Sequence, residues 1–190
     1  MVIGRKFYNQ NTLKVAKDLL GCFLVRKIKG KTIKAMITET EAYMGEDDLA
    51  SHASKGRTPR TELMYGEAGH AYVYMIYGMY HCLNVVTEKK DFPAAVLIRG
   101  IEIIGSSAPK RELNSQKFKG PGKLCKFLEI DRKLNGWDVT RGEKLWIEKL
   151  SQEISKKLIK SDKRIGIDYA KHCKEYLWRF SLVDYTGKKS

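Results

Sequence analysis

No Cys-x-x-Cys pair occurs in the 190 residues, although four cysteines are present at Cys22, Cys82, Cys125 and Cys173. Their wide spacing argues against a zinc site or an iron–sulfur cluster. A chain of this length can build a core without disulfide staples, so reduced core thiols in a cytosolic protein are expected. His-x-x-x-His and His-Glu-x-x-His are both missing, which removes the common helical zinc patterns. Asp48 and His52 do stand four apart, with His70 and His81 further on. A stacking or capping role for His52 is the better expectation, and neither a metal nor another cofactor is expected. No apolar run nears the length of a membrane span. The opening MVIGRKFYNQ lacks the apolar stretch of a secretory signal. Repeats and low-complexity segments are absent as well.

Acids are the minority charge. The chain carries 36 Lys+Arg against 22 Asp+Glu, a formal net charge of +14. The surplus is spread along the chain: 15 bases and 10 acids in residues 1–100, net +5, and 21 and 12 in residues 101–190, net +9. A basic body of this kind favours nucleic acid as the partner, and a solvated lysine-rich surface is the plainer alternative. With 43% hydrophobic and 31% charged residues the composition is globular. At this length one domain over residues 1–190 is expected.

Against this basic background, TETEAYMGEDDLASH concentrates five acids within ten positions: Glu39, Glu41, Glu46, Asp47 and Asp48. Asn11 or Thr12 can cap a helix bearing Leu13, Ala16, Leu19 and Leu20, which Gly21 would end. CFLVRKI and TIKAMITET read as two strands joined through KGK. The second strand runs into Glu41-Ala42-Tyr43. Strand side chains alternate, so Glu41 and Tyr43 share a face. A carboxylate beside a ring suits a pocket that stacks a flat ligand and activates water, but on this triplet alone an edge-strand Glu facing solvent beside a half-buried Tyr is the favoured reading. GEDDLASHA reads as a helix start with acids in the first turn, where the helix dipole favours them.

Lys55, Arg57 and Arg60 lie in the loop SKGRTPRTELMYGEAGH. AYVYMIYGMYHCLNVV is β-favouring, and its Tyr77-Gly78 pair suggests a hairpin with Tyr77 at the tip. Tyr72, Tyr74, Tyr77 and Tyr80 fit cross-strand pairing. A tip aromatic has little core to enter, however, and on a basic protein it could act as a wedge between bases. AAVLIRG reads as a buried strand ending at Arg99. Residues 105–122 read as an irregular basic connection, KLCKFLEI as a short helix, and EKLWIE and EYLWRFSLV as strands. The expected fold is α+β: a curved, mostly antiparallel open-barrel-like sheet flanked by helices, with a protruding β-hairpin.

TETEAYMGEDDLASHA, GRTPRTELMYGEAGHAYVYMIYGMYHCLNVV, AAVLIRGIE and GPGKLCKFLEI, taken in order, resemble the 3-methyladenine DNA glycosylase family of the alkyladenine type. FYNQNTLKVAKDLLGCFLVRKI fits the family's opening and KRIGI its late segment. The resemblance is close over most of residues 5–130 and looser beyond. TEKKDFPA, the 105–120 loop and the tail YTGKKS depart from it.

The resemblance implies a monofunctional base-excision enzyme that flips a damaged purine out of double-stranded DNA and hydrolyses its N-glycosyl bond. Glu41 would hold and deprotonate the water, and Arg99 would help to position it. Tyr43 would stack on one face of the base, with His52 and Tyr74 on the other side. Asn84 would stand at the pocket floor and disfavour the amino group of guanine. Tyr77 would enter the minor groove of the DNA and fill the gap, which makes the hairpin a DNA-inserting one. Tyr72, Lys55, Arg57 and Arg60 are DNA-contact candidates. The implied substrates are alkylated or deaminated purines, 3-methyladenine first and hypoxanthine and related adducts next. A monomer in bacterial or archaeal cytoplasm, associated with the nucleoid and not with a membrane, is expected. An N-glycosidase acting on RNA and a non-catalytic nucleic-acid binder remain as alternatives.

Overall fold

The computed structural model describes residues 1–103, 116–150 and 154–183. After a single turn of helix α1 (Arg5–Tyr8), helix α2 spans Thr12–Asp18. The Asn11 side chain caps α2 by accepting from the amides of Leu13 and Lys14 at 3.1 and 3.3 Å. Strands β1 (Phe23–Ile28) and β2 (Lys31–Met44) form the first hairpin, with Lys29 and Gly30 at the turn in left-handed conformation. Then come β3 (Ala71–Ile76), β4 (Tyr80–Val86), β5 (Ala94–Ile103), β6 (Gln116–Lys119), helix α3 (Pro121–Phe127), β7 (Leu145–Glu148), β8 (Ile159–Asp162) and β9 (Arg179–Leu182).

These strands make one curved α+β sheet in the order β3-β4-β5-β2-β1-β7. β6 adds to β5, and β9 adds to β2 and carries β8. Every pairing between named strands is antiparallel. Helix α2 lies against β2 and β5, and α3 lies against β4 and β5. The main core fills the space between them, from Tyr8 and Leu19 through Ile37, Leu83 and Ile98 to Leu124 and Phe180. All four cysteines are buried and free.

The centre of the sheet positions the acidic stretch. Fourteen residues long, β2 pairs with β1 over its first half, with β5 along most of its length, and with β9 at residues 39–41. The β2–β5 register shifts twice around Glu39, a bulge of the kind that re-aims side chains beside functional sites. Gly100 faces this bulge, and a Cβ there would come within 3.0 Å of both Glu39 Cβ and Thr38 Oγ1. Beyond the bulge Glu41 lies between two neighbouring strands and is fully buried.

Four sequence expectations are corrected. No α-helix starts at GEDDLASHA: Gly45 turns the chain with φ +79°, and only a short 3-10 helix forms at His52–Lys55. A tertiary contact overrides the local dipole preference, because the Asp48 carboxylate turns inward onto Arg164. β5 continues past Arg99 to Ile103, since β2 and β6 both pair with that extension. Residues 116–119 of the expected irregular connection form β6; residues 104–115 and the tail from 184 on lie outside the described residues. β9 is shorter than EYLWRFSLV: Glu175 ends a 3-10 helix, and ladder pairing with β2 and β8 covers only Arg179–Leu182.

Candidate functional site

Glu41 anchors the site. Its Oε2 accepts the Tyr43 hydroxyl at 2.8 Å and lies 3.4 Å from Arg99 Nη1. Oε1 accepts the backbone N–H of Ile165 at 2.9 Å. Burial pushes the carboxyl's pKa upward. Arg99, the Ile165 N–H and the Tyr43 hydroxyl pull it back, and Glu39 pushes it further up. Arg99 sits on β5 between two acids, with its Nε 3.4 Å from Glu39 Oε1. Glu39, which sequence reasoning left without a role, joins Arg99 to Arg179 of β9, whose Nη1 donates to Glu39 Oε1 at 3.1 Å. The negative site is thus held within a ladder of alternating charges across three strands.

Beside Glu41 a cavity of about 220 Å³ opens to the surface. Tyr43 forms one wall. His52, Tyr72 and Tyr74 form another: His52 Nδ1 is 2.9 Å from the Tyr72 hydroxyl, and the His52 and Tyr74 rings meet edge to face at 4.5 Å. Burial, followed by the charges of Arg60 and Lys55, pushes His52 down to about 4 from its ordinary 6.5. Asn84 is a buried residue of the cavity lining, and its Nδ2 donates to the Tyr72 carbonyl at 3.1 Å. Glu41 itself has no exposed surface; Tyr43, Cys82, Arg99 and Ile165 supply the cavity surface around it.

At the rim stands the β3–β4 hairpin with the expected tip. Tyr77 and Gly78 both have positive φ, +50° and +68°, and Tyr77 is 84% exposed. A left-handed aromatic residue is uncommon, since glycine or asparagine occupies such positions at lower cost. Met79 and Tyr80 are also exposed on this tip.

The structure places Tyr43, His52, Tyr74, Asn84 and Arg99 on the lining of one cavity with Glu41 buried beside it; Tyr72, expected only as a DNA contact, lines the same cavity, and Tyr77 stands at its rim. The three loop cations separate. Lys55 is exposed. Arg57 is engaged by Asp91 at 2.8 Å and Glu62 at 3.2 Å. Arg60 lies over the Tyr74 ring at 5.3 Å with Nη2 3.4 Å from His52 Nε2, so it braces the aromatic wall. Sequence reasoning missed Arg164 altogether: the KRIGI motif contains it, but no local periodicity signals its buried partner 116 residues away. Among the described residues no group of three His, Cys, Asp or Glu side chains could hold a metal ion.

A family model described as methylpurine-DNA glycosylase matches residues 6–186. Several curated relatives bear the name "Putative 3-methyladenine DNA glycosylase", three of them as follows. That of Clostridium perfringens (strain SM101) is 46% identical over 205 residues, covering 100% of both chains. That of Methanocella arvoryzae is 49% identical over 185 residues, 94% of this chain and 91% of the relative. That of Ehrlichia chaffeensis is 44% identical over 185 residues, 97% of this chain and 95% of the relative.

Proposed function

The chain belongs to the methylpurine-DNA glycosylase family and is a DNA glycosylase, a hydrolase of N-glycosyl bonds, and from that premise we propose that it flips alkylated purines out of duplex DNA and removes them by direct hydrolysis with Glu41 as general base. 3-Methyladenine is the leading substrate and hypoxanthine a secondary one. The observation that carries this reading is a buried carboxylate, held on both oxygens, at the side of an aromatic cavity on a protein of net charge +14.

The flipped purine enters between Tyr43 on one side and His52 and Tyr74 on the other. Alkylation makes 3-methyladenine cationic, and electron-rich rings attract a cation. A neutral His52 adds no positive charge to that wall. Arg99 stands 3.4 Å from Glu41 and lines the cavity, so its guanidinium is placed to orient a water there, and Glu41, covered in the free protein, meets that water once the bound lesion displaces the cover. Water gives its proton to Glu41 as its oxygen bonds to C1′ of the sugar. The glycosyl C–N bond breaks, and its electron pair leaves with the base, which departs neutral if it was cationic. The developing oxocarbenium faces the Glu41 charge, and a single displacement inverts C1′. No lysine nucleophile takes part, so the DNA strand stays intact.

Glu41→Gln tests this. Single-turnover excision of 3-methyladenine from duplex DNA should fall roughly 10²–10⁴-fold. Lesion binding should survive, because the stacking rings and basic surface are untouched. Excision at the parental rate would refute the assignment.

A further inference from the structure

Arg164 and Asp48 form an ion pair whose side chains are 0% and 1% exposed. Burying two charges is expensive, and an apolar pair of similar size often serves stability as well or better. The arrangement therefore calls for a reason beyond cohesion, and the hydrogen bonds of the pair supply one. Arg164 Nη1 donates to Asp48 Oδ2 at 2.6 Å and to the Ala42 carbonyl at 2.9 Å. Nη2 donates to Asp48 Oδ1 at 2.7 Å and to the Cys173 carbonyl at 3.3 Å. The guanidinium carbon lies over the Tyr43 and Trp178 rings, 4.8 and 5.0 Å from their centroids. A planar fork with four acceptors and two ring faces is fixed in orientation as a lysine ammonium would not be.

The backbone that this fork immobilises reaches the catalytic carboxylate at once. Ala42, held through its carbonyl, is the residue between Glu41 and Tyr43. Ile165, the residue after Arg164, donates its N–H to Glu41 Oε1 at 2.9 Å. We propose that Arg164, clamped by Asp48, is a positioning residue for base excision: it holds the Ile165 N–H on Oε1 of Glu41, opposite the oxygen that takes the Tyr43 hydroxyl. The inference rests on Glu41 being the general base. A donor aimed at the ionised carboxylate favours the charged form, which a general base needs, and offsets part of the burial that disfavours it. The other groups facing Glu41 are Glu39 and Tyr43 on β2, Cys82 on β4, Arg99 on β5 and the Arg164 charge itself. Arg179 on β9 pairs with Glu41 through the backbone and turns its side chain to Glu39 and Asp162.

Arg164→Lys separates position from charge, because it keeps the cation and loses the fork. In single-turnover excision the acidic limb of the pH profile should move to higher pH. One pH unit below the parental midpoint a one-unit move makes the variant about tenfold slower, while the alkaline plateau and lesion binding stay close to parental. A loss by the same factor at every pH, or a lowered melting temperature with an unmoved limb, would overturn the proposal. The parental protein gives a second measurement that needs no variant to fold. Its Ile165 amide proton resonance should titrate with the midpoint of the acidic limb, and an invariant resonance would overturn the proposal. Glu41→Gln run alongside tells two failures apart. Parental excision there refutes the general-base reading and this inference with it. An inactive Glu41→Gln beside an unshifted Arg164→Lys profile refutes the positioning role alone.

Discussion

The hydroxyl of Tyr43 donates to Oε2 of Glu41 at 2.8 Å, two residues along the same face of β2. One side chain thereby offers a ring to the cavity and a proton to the carboxylate beside it. Tyr43→Phe divides the two roles, since it keeps the ring and deletes the donor. A charged hydrogen bond is worth about 1.5 kcal/mol at the low end, which corresponds to about one pKa unit. Without it Glu41 holds its proton to higher pH. The acidic limb of single-turnover excision should therefore move up by about one unit while lesion affinity changes little. A limb that stays in place with weakened binding would mean that the ring alone matters.

Glu41→Gln should also change stability, in the direction opposite to activity. Burial raises the Glu41 pKa above its ordinary 4.5 in spite of Arg99, Ile165 and Tyr43. A raised folded-state value means that the stability contribution is complete below about 4.5 and is lost as pH rises through the folded value. At pH well above that window the parent bears the cost of a buried charge that glutamine avoids. Thermal melts should place Glu41→Gln at or above the parent in neutral buffer, with the difference closing near pH 4.5. A variant that is less stable at neutral pH and equal in acid would reverse the sign and show that the ionised contacts outweigh burial.

What the sequence made legible was local. Alternation along a strand put Glu41 and Tyr43 on one face, the Tyr77-Gly78 pair marked the hairpin tip, and Asn11-Thr12 marked the start of α2, which Asn11 caps. The features that escaped depend on residues far apart in the chain. Asp48 reads as a first-turn acid until Arg164 arrives from 116 residues away. Glu39 has no visible purpose until β9 brings Arg179 from 140 residues away. β6 hides in a basic stretch with no alternating pattern, and it is a strand because β5 extends past Arg99 to meet it. Family motifs conveyed the cavity residues, whereas the ion pairs that hold them emerge only from packing.

His52 makes stability depend on acid. The folded protein holds it at about 4 against 6.5 when free, through burial first and then Arg60 and Lys55. Between those values the unfolded chain takes up a proton that the folded one refuses, so stability contributed above about 6.5 drains away as pH falls toward about 4. His52→Gln cannot titrate. Denaturant unfolding at pH 7 and pH 4.5 should show a smaller acid loss in the variant than in the parent. Equal losses would place the acid sensitivity elsewhere.

Asn84 should act as a selectivity gate. It is buried in the cavity lining with Nδ2 committed to the Tyr72 carbonyl, so its amide is fixed rather than free to turn away. A purine with a 2-amino group brings another donor to this position. Asn84→Ser shortens the side chain and makes room for that donor. Excision assays should show gained activity on lesions bearing a 2-amino group that the parent rejects. A uniform drop across all lesions would make Asn84 a packing residue only.

Tyr77 should be needed in proportion to the stacking it must replace. Its ring is 84% exposed on a left-handed residue at the end of a hairpin, so neither burial nor backbone preference accounts for it. Backbone strain of this kind costs on the order of 1–3 kcal/mol and persists where a function maintains it. Flipping a nucleotide leaves a hole in the duplex, and the unstacking costs a few kcal/mol in double-stranded DNA and far less in a single strand. A ring that fills the hole offsets that cost only where the hole exists. Tyr77→Ser should therefore slow excision from duplex substrate by about tenfold or more, corresponding to about 1.4 kcal/mol of the unstacking cost, and affect single-stranded substrate much less. Folding should be unharmed, because the side chain supports no core. The deciding comparison is the ratio of single-turnover rates on the two substrates. If both fall together, Tyr77 shapes the hairpin rather than entering the DNA.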